Sequence, residues 1–284
     1  MRVGIVSAGA MGSAVGRALL SGGAEVVTTL DGRSERTARL AEAAGLECVP
    51  TLGDVVVVDV VLSIGPPGEA EEMAAAIADA STAAGATPLV VDLNAISPAT
   101  ARRIESALAG AGLDLVDGSI SGPPPLQPGT TRIYLSGMRA DEVAALPFSG
   151  VDLVEVGDEV GTASAVKMST ASVYKGSIAL LTQALLTARA NGVLAFVLDD
   201  LGERAADAAR SIARSATKSS RYVAEMEEIA ATQSAAGLTP ELFEAMGEVY
   251  EALSRRGFAQ QAPEDVGAPE LDDVLRQLAP ESGG

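Results

Sequence analysis

The sequence predicts an α/β fold: a doubly wound, mostly parallel sheet followed by an all-helical domain. Three observations predict it. Short β-branched runs recur as far as Val156, separated by alanine-rich stretches of helical period. Each run stops at small, polar or proline-rich residues, where ligands of open α/β sheets bind, beyond the carboxyl ends of the strands. After Gly161 the strand alternation ends and long stretches with helical character take over. The chain therefore divides into an α/β domain of Rossmann type over residues 1–158 and a helical domain over 159–284.

Composition limits what such a chain can do. Of its 284 residues, 48% are hydrophobic and 20% charged, enough apolar material for a real core. Acidic residues outnumber basic ones 38 to 20, a net charge of −18 that opposes nucleic acid and anionic membrane surfaces. There is no histidine, which removes the commonest general base and a common metal ligand. Carboxylates are plentiful, but none cluster with metal-ligand spacing, so no metal is expected. A single cysteine, Cys48, allows no intramolecular disulfide and suggests a reducing compartment. The first strand starts at the second residue with no signal pattern, and apolar runs such as 55–64 are too short to span a bilayer. A cytoplasmic protein is expected.

The elements follow in order. Arg2 to Val6 is a strand that meets the turn Ser7-Ala8-Gly9-Ala10-Met11-Gly12 and then a helix. A strand ending in small residues and running straight into a helix aims backbone N–H groups and the positive end of the helix dipole at one point, which attracts phosphate. Gly9 would let the backbone approach a pyrophosphate, and Gly12 would let the helix sit close on the strand. Ser7 occupies the place of the usual first glycine. Glu25 to Leu30 is the next strand, and Asp31-Gly32-Arg33-Ser34-Glu35-Arg36 lies at its carboxyl end, where an adenosine ribose would be read. An acid there favours the 2′-hydroxyl of NAD, and arginine with a hydroxyl neighbour favours the 2′-phosphate of NADP. Both signals are present; Arg33, Ser34 and Arg36, clustered in a chain poor in positive charge, point to NADP.

Ser34 to Gly45 has helical period, and the apolar run from Val55 to Leu62 has the look of a strand buried on both faces. It stops at Ser63-Ile64-Gly65-Pro66-Pro67-Gly68. A helix over 69–85, a strand at 88–93 ending in Asn94, a helix over 100–110 and a strand at 114–119 continue the alternation. The next loop is Ser121-Gly122-Pro123-Pro124-Pro125, and 131–137 and 151–156 supply the closing strands. Residues 162–190 form one long helix, with further helices near 193–214, 217–236, 239–256 and 271–278, punctuated by Gly192, Gly237 and Pro240.

These residues resemble the β-hydroxyacid dehydrogenases, relatives of 3-hydroxyisobutyrate dehydrogenase and 6-phosphogluconate dehydrogenase, over nearly the whole length. The blocks that carry the resemblance are Gly4 to Gly12, Asn94 to Pro98, Asp117 to Gly122 and Gly161 to Lys167. Tyr174-Lys175-Gly176 and 221–226 look like a branch with a distinct helical domain. The resemblance implies that Lys167 exchanges a proton with the substrate hydroxyl while hydride moves to or from the nicotinamide. Lysine suits that role because desolvation can bring its pKa near neutrality. Lys175, eight residues on, could share its face. Two departures stand out: Thr170 and Ala171 replace the family's asparagine, and prolines replace the glycines after Ser121-Gly122, removing N–H donors.

The expected function is an NADP-dependent oxidoreductase acting on a small hydroxy acid, alcohol or the matching carbonyl. Ser7, Gly9, Ala10, Met11 and Gly12 would hold the pyrophosphate, and Arg33, Ser34 and Arg36 the 2′-phosphate. Ser63, Ile64, Gly65, Pro66 and Asn94 would face the nicotinamide ribose and ring. Ser121, Gly122, Pro123, Thr170, Tyr174 and Lys175 would bind substrate, and Lys167 would be catalytic. Imine reduction and dinucleotide binding without chemistry are the alternatives. A homodimer through the helical domain is what the resemblance implies for partners.

Overall fold

In the computed structural model, which describes residues 1–263 and 265–280, the chain opens with β1 (Arg2–Val6), α1 (Ala10–Ser21), β2 (Glu25–Thr29), α2 (Glu35–Ala44) and β3 (Glu47–Val49). A short α3 (Leu52–Val55) leads to β4 (Val60–Ser63), α4 (Ala70–Ala84), β5 (Leu89–Asp92), α5 (Pro98–Gly110) and β6 (Leu115–Ser121). β7 (Thr131–Ser136), α6 (Ala140–Ala144) and β8 (Val151–Gly157) close the sheet. Its order is β3-β2-β1-β4-β5-β6-β7-β8, and every neighbouring pair is parallel except β6 with β7. The strand order reverses between β1 and β4, which makes a crevice beyond their carboxyl ends.

The sheet is buried on both faces because successive residues of each central strand point to opposite sides. Val3, Ile5, Val60, Leu62, Leu89 and Val91 join α1 and α6 on one face. Val6, Val61 and Val90 join α4 and α5 on the other, with Ile77, Ile104 and Leu108. Burying such a side chain fully stabilises by about 1.5–3 kcal/mol, so these two layers hold the sheet flat against its helices.

One expected strand is shorter than its apolar run. Residues 55–62 do not form a continuous strand: Val55 ends α3, and β4 starts only at Val60. A capping box decides this. The Thr51 side chain accepts the Asp54 N–H while the Asp54 side chain accepts the Thr51 N–H, and the turn they start outweighs the strand preference of valine. Val55 then packs on β1 so closely that a Cβ on Gly4 would lie 2.4 Å from its carbonyl oxygen.

The chain groups into two compact units, one from Met1 to Met168 and one from Ser169 onward. Helix α7 (Thr162–Ala190) contributes its first two turns to the former and the rest to the latter. The second unit continues with α8 (Leu194–Leu201), α9 (Ala208–Ala216), α10 (Ser219–Ala235), α11 (Glu241–Ser254) and α12 (Leu271–Leu278). The helix expected over 193–214 is thus two, broken at Gly202, whose φ of +53° no continuing helix adopts. No strand follows β8 among the described residues, and no helix among them is long and apolar enough to cross a membrane.

Candidate active site at the carboxyl edge of the sheet

The turn between β1 and α1 is built to receive an anion. Ser7 has φ +72°, the only non-glycine with positive φ among the described residues, so it takes the left-handed conformation that glycine usually supplies. Its carbonyl oxygen would lie 2.4 Å from a Cβ on Gly12, which is why position 12 must be glycine. Above Gly9 nothing lies within 4 Å of a Cβ position. No side chain caps α1, so the N–H groups of its first turn meet that open space with the positive end of the helix dipole behind them. Pyrophosphate fits this cradle on both counts, charge and room.

Beyond β2, Asp31, Arg33 and Ser34 are exposed and Arg36 is half-buried. The Ser34 hydroxyl oxygen accepts the Thr37 N–H at 3.3 Å, so Ser34 is the N-cap of α2. The cap leaves Ser34 and Arg33 at a helix start, where the α2 dipole adds to the arginine charge.

At the centre of the edge, four buried polar residues stand side by side across four strands. Register pairs Ser63 with Asp92, Asp92 with Asp117, and Asp117 with Ser136. All four are 1% exposed or less. The Asn94 amide Nδ2 donates to Asp92 Oδ2 at 2.7 Å and to Ser63 Oγ at 3.2 Å, and its Oδ1 accepts the Gly65 N–H at 2.6 Å. Ser63 and Asn94, expected against the nicotinamide, therefore spend both amide N–H groups and the Ser63 oxygen on the protein itself. Ile64 and Pro67 are buried too; solvent reaches this loop at Gly65, Pro66 and Gly68. A Cβ on Gly65 would lie 2.6 Å from the Met73 Cε, so a side chain there would have to displace the end of that methionine.

Asp117 does something different. Its Oδ2 accepts the Gly161 N–H, the Ser164 N–H and the Ser136 hydroxyl, each at 3.0 Å, and its Oδ1 accepts the Ser164 hydroxyl at 2.6 Å. A carboxylate of β6 thus caps the N-terminus of α7 across the fold. Two further bonds fix the same turn: Ser119 Oγ donates to the Ala163 carbonyl at 2.8 Å, and Ser136 Oγ accepts the Ala163 N–H at 3.0 Å. With the start of α7 held, Lys167 Nζ reaches the Ile120 carbonyl at 2.6 Å, beside half-buried Ser121. Gly122 follows with φ +113°, and a Cβ there would lie 2.3 Å from the Thr130 carbonyl oxygen. Pro123 is exposed, its carbonyl held by the Thr131 hydroxyl at 2.7 Å.

The remaining expected substrate residues fall in the second unit. Thr170 is half-buried and Tyr174 exposed. Lys175, expected at the substrate, is instead ion-paired with Glu225 of α10, with Nζ 4.8 Å from the centre of the Tyr222 ring. Glu225 is fully buried and also accepts from Arg221 Nε at 2.9 Å, so Lys175 belongs to a charge cluster that joins α7 to α10. Tyr250 donates to the Lys175 carbonyl at 2.8 Å in the same cluster.

Asp92, Asp117, Ser136 and Ser164 carry this edge; Asp117 and Ser164 fell inside two of the motif blocks without a role of their own, and Asp92 and Ser136 lay outside them. One signal was there: Leu89-Val90-Val91-Asp92 and Leu115-Val116-Asp117 each end an apolar strand run in an acid, and an acid inside a buried strand needs a partner. Burial pushes the Asp92 carboxyl up from 3.8 to about 7, against the lowering effect of the Asn94 bonds and with some help from the charge of Asp117.

Comparison with known proteins shows the family to which the chain belongs. The family model described as the NAD binding domain of 6-phosphogluconate dehydrogenase matches residues 2–145, half of the chain. The chain belongs to the β-hydroxyacid dehydrogenase superfamily. It is an NAD(P)-binding oxidoreductase of a dehydrogenase and reductase family. Residues 188–253 match a second model, a domain of unknown function called DUF1932. A conserved protein of unknown function, whose structure was described as similar to 3-hydroxyacid dehydrogenases, is 30% identical with a TM-score of 0.65 over 90% of this chain and 97% of that one. A 3-hydroxyisobutyrate dehydrogenase from Salmonella typhimurium shares the fold at 20% identity and a TM-score of 0.70, covering 97% of this chain and 99% of its own. An imine reductase from Streptomyces aurantiacus shares it at 22% and 0.56, covering 97% and 99%.

The buried acid predicts how stability varies with pH. Between the unfolded value of 3.8 and the native value of about 7, folded Asp92 keeps a proton that the unfolded chain has lost. Its contribution is present below the lower value and is lost as pH rises through the upper one. The melting temperature of the native protein should therefore fall relative to Asp92→Asn over that interval, measured by scanning calorimetry; parallel curves would contradict it.

Proposed function

We propose that this member of the superfamily is an NADP-dependent oxidoreductase acting on a small hydroxy acid, alcohol or the matching carbonyl. The observation that carries the reading is the presence, on one edge of one sheet, of an uncapped helix start over an open glycine turn and a lysine amine at the end of β6. The first-turn N–H groups of α1, from Ala10 to Gly12, bind the pyrophosphate. Arg33 supplies charge and geometry for a 2′-phosphate, with the Ser34 hydroxyl and Arg36 beside it. Gly65 and Pro66, held from beneath by Asn94, support the nicotinamide ribose.

The nicotinamide, when bound, supplies the hydride acceptor or donor. Lys167 manages the proton: its Nζ holds a proton beside the Ile120 carbonyl and passes it to, or takes it from, a substrate oxygen placed near Ser121. Ser121 orients that oxygen through its hydroxyl, and the positive φ of Gly122, packed against the Thr130 carbonyl, fixes the turn that presents it. The prolines that follow offer no N–H donors, so a substrate carboxylate finds fewer partners here than glycines would provide. That absence favours a second reading, reduction of a C=N bond in a substrate with no carboxylate; a lysine proton donor serves either.

The helical unit is proposed to join two copies. Helix α8 is apolar at six of its eight positions, yet none of its residues is buried, and Phe196 is 77% exposed. A helix of that kind is covered by a partner in a stable protein.

Three outcomes are expected. Lys167→Ala should leave NADPH affinity within about twofold and lower turnover roughly 10²–10⁴-fold in a screen of hydroxy acids, aldehydes and imines. Oxidation of NADPH by none of them would leave dinucleotide binding without chemistry. Arg33→Ala should weaken NADPH by about tenfold and NADH hardly at all, read by titration calorimetry, because a charged hydrogen bond is worth about 1.5–3 kcal/mol. Phe196→Asp should shift the sedimenting species from dimer to monomer; a native protein that sediments as a monomer removes the pairing.

A further inference from the structure

We infer that Asp92 is a positioning residue for the nicotinamide half of the cofactor, acting through Asn94 on the backbone at Gly65. The inference rests on the dinucleotide reading above. Asp92 itself reaches no solvent, being 1% exposed, so it touches no ligand. What it holds is the Asn94 side chain: Oδ2 takes the Nδ2 proton at 2.7 Å, and Oδ1 takes the Asn94 backbone N–H at 2.9 Å. An amide side chain can be turned either way round. A carboxylate accepts only, so it forces the NH₂ of Asn94 toward Asp92 and Ser63 and leaves Oδ1 aimed at the Gly65 N–H, which it meets at 2.6 Å. The chain of bonds has two links, Asp92 to Asn94 and Asn94 to Gly65, and each has one direction. It ends on Gly65, next to exposed Pro66, where solvent reaches the loop.

Asp92 is a costly way to hold an amide. A serine or a threonine would offer an acceptor without a buried charge, and burial here drives the carboxyl to about 7. The facing groups on β4 and on the loop after β5 are Ser63 and Asn94, which do not titrate; the facing charge on β6 is Asp117. A proton on Oδ2 would turn that acceptor into a donor, release the Asn94 NH₂ and loosen the Gly65 contact. The loop is therefore set when Asp92 is ionised and relaxed when it is protonated, and nicotinamide binding should follow.

The test compares NADPH with 2′-phospho-ADP, which keeps the adenosine, the 2′-phosphate and both 5′-phosphates but lacks the nicotinamide riboside. If the protein prefers NADH, NADH and ADP replace them. Asp92→Asn should raise the NADPH Kd by roughly tenfold near pH 8 while leaving 2′-phospho-ADP within about twofold, since one directed hydrogen bond of the relay is lost. For the pH series the terminal phosphate of the truncated ligand is capped as its methyl ester, so that neither ligand carries a 5′-phosphate monoester and the ratio cancels the titration of the shared 2′-phosphate; in the native protein that ratio should move toward tighter NADPH as pH rises from about 6 to about 8. An equal effect of Asp92→Asn on both ligands, or no effect on NADPH, overturns the inference. If that variant does not fold, a flat ratio in the native protein overturns it alone. A native protein that binds none of the four ligands overturns the dinucleotide reading, and the inference with it.

Discussion

The placement of the proposed proton-transfer group depends on the Asp117 carboxyl. Removing a carboxylate from water costs several kcal/mol, and this one is fully buried. Four donors offset that cost: two backbone N–H groups at the start of α7 and two serine hydroxyls. The helix dipole adds to them, because its positive end faces the acid. Remove the carboxyl, and the first turn of the 29-residue helix α7 has two orphan donors inside the protein.

Lys167 inherits its position from that cap. It lies five residues past Thr162, about 7 Å along the axis at helical rise, so once the first turn is fixed only the lysine rotamer is left to choose. The Ile120 carbonyl, three residues beyond Asp117 on the same strand, then receives its amine. One strand both anchors the helix and presents the oxygen against which the amine rests. The same strand register sets Asp92 beside Asp117 and Ser63 beside Asp92. A slip of one residue would turn all of these toward the opposite layer, so the apolar packing on both faces of the sheet is also what aligns the polar row.

Much of this architecture was legible in the chain. The alternation of β-branched runs with alanine-rich helices is a local property, and so are the glycines at 9 and 12 and the uninterrupted stretch that became α7. Elsewhere the partners of particular side chains decided, one set close in the chain and two far apart in it. Val55 to Val58 have strand propensity, but the Thr51 and Asp54 side chains start a helical turn and tuck Val55 over β1. Asn94 looked like a ligand for the cofactor because it is polar at a strand end; its bonds run inward to Ser63, Asp92 and Gly65. Lys175 looked like a neighbour of Lys167, yet eight residues overshoot two turns by about 80° at 3.6 residues per turn, and its amine meets Glu225.

By itself the sequence determined the fold class, the glycine turn after β1 and the excess of negative charge, because each follows from residue type and short-range spacing. Only the tertiary structure decided which polar residues are spent on one another inside the frame. Ser63, Asp92, Asp117 and Ser136 are separated by tens of positions in the chain and become neighbours through strand pairing alone. Hydrogen bonds have direction, and direction is set by what stands opposite in space.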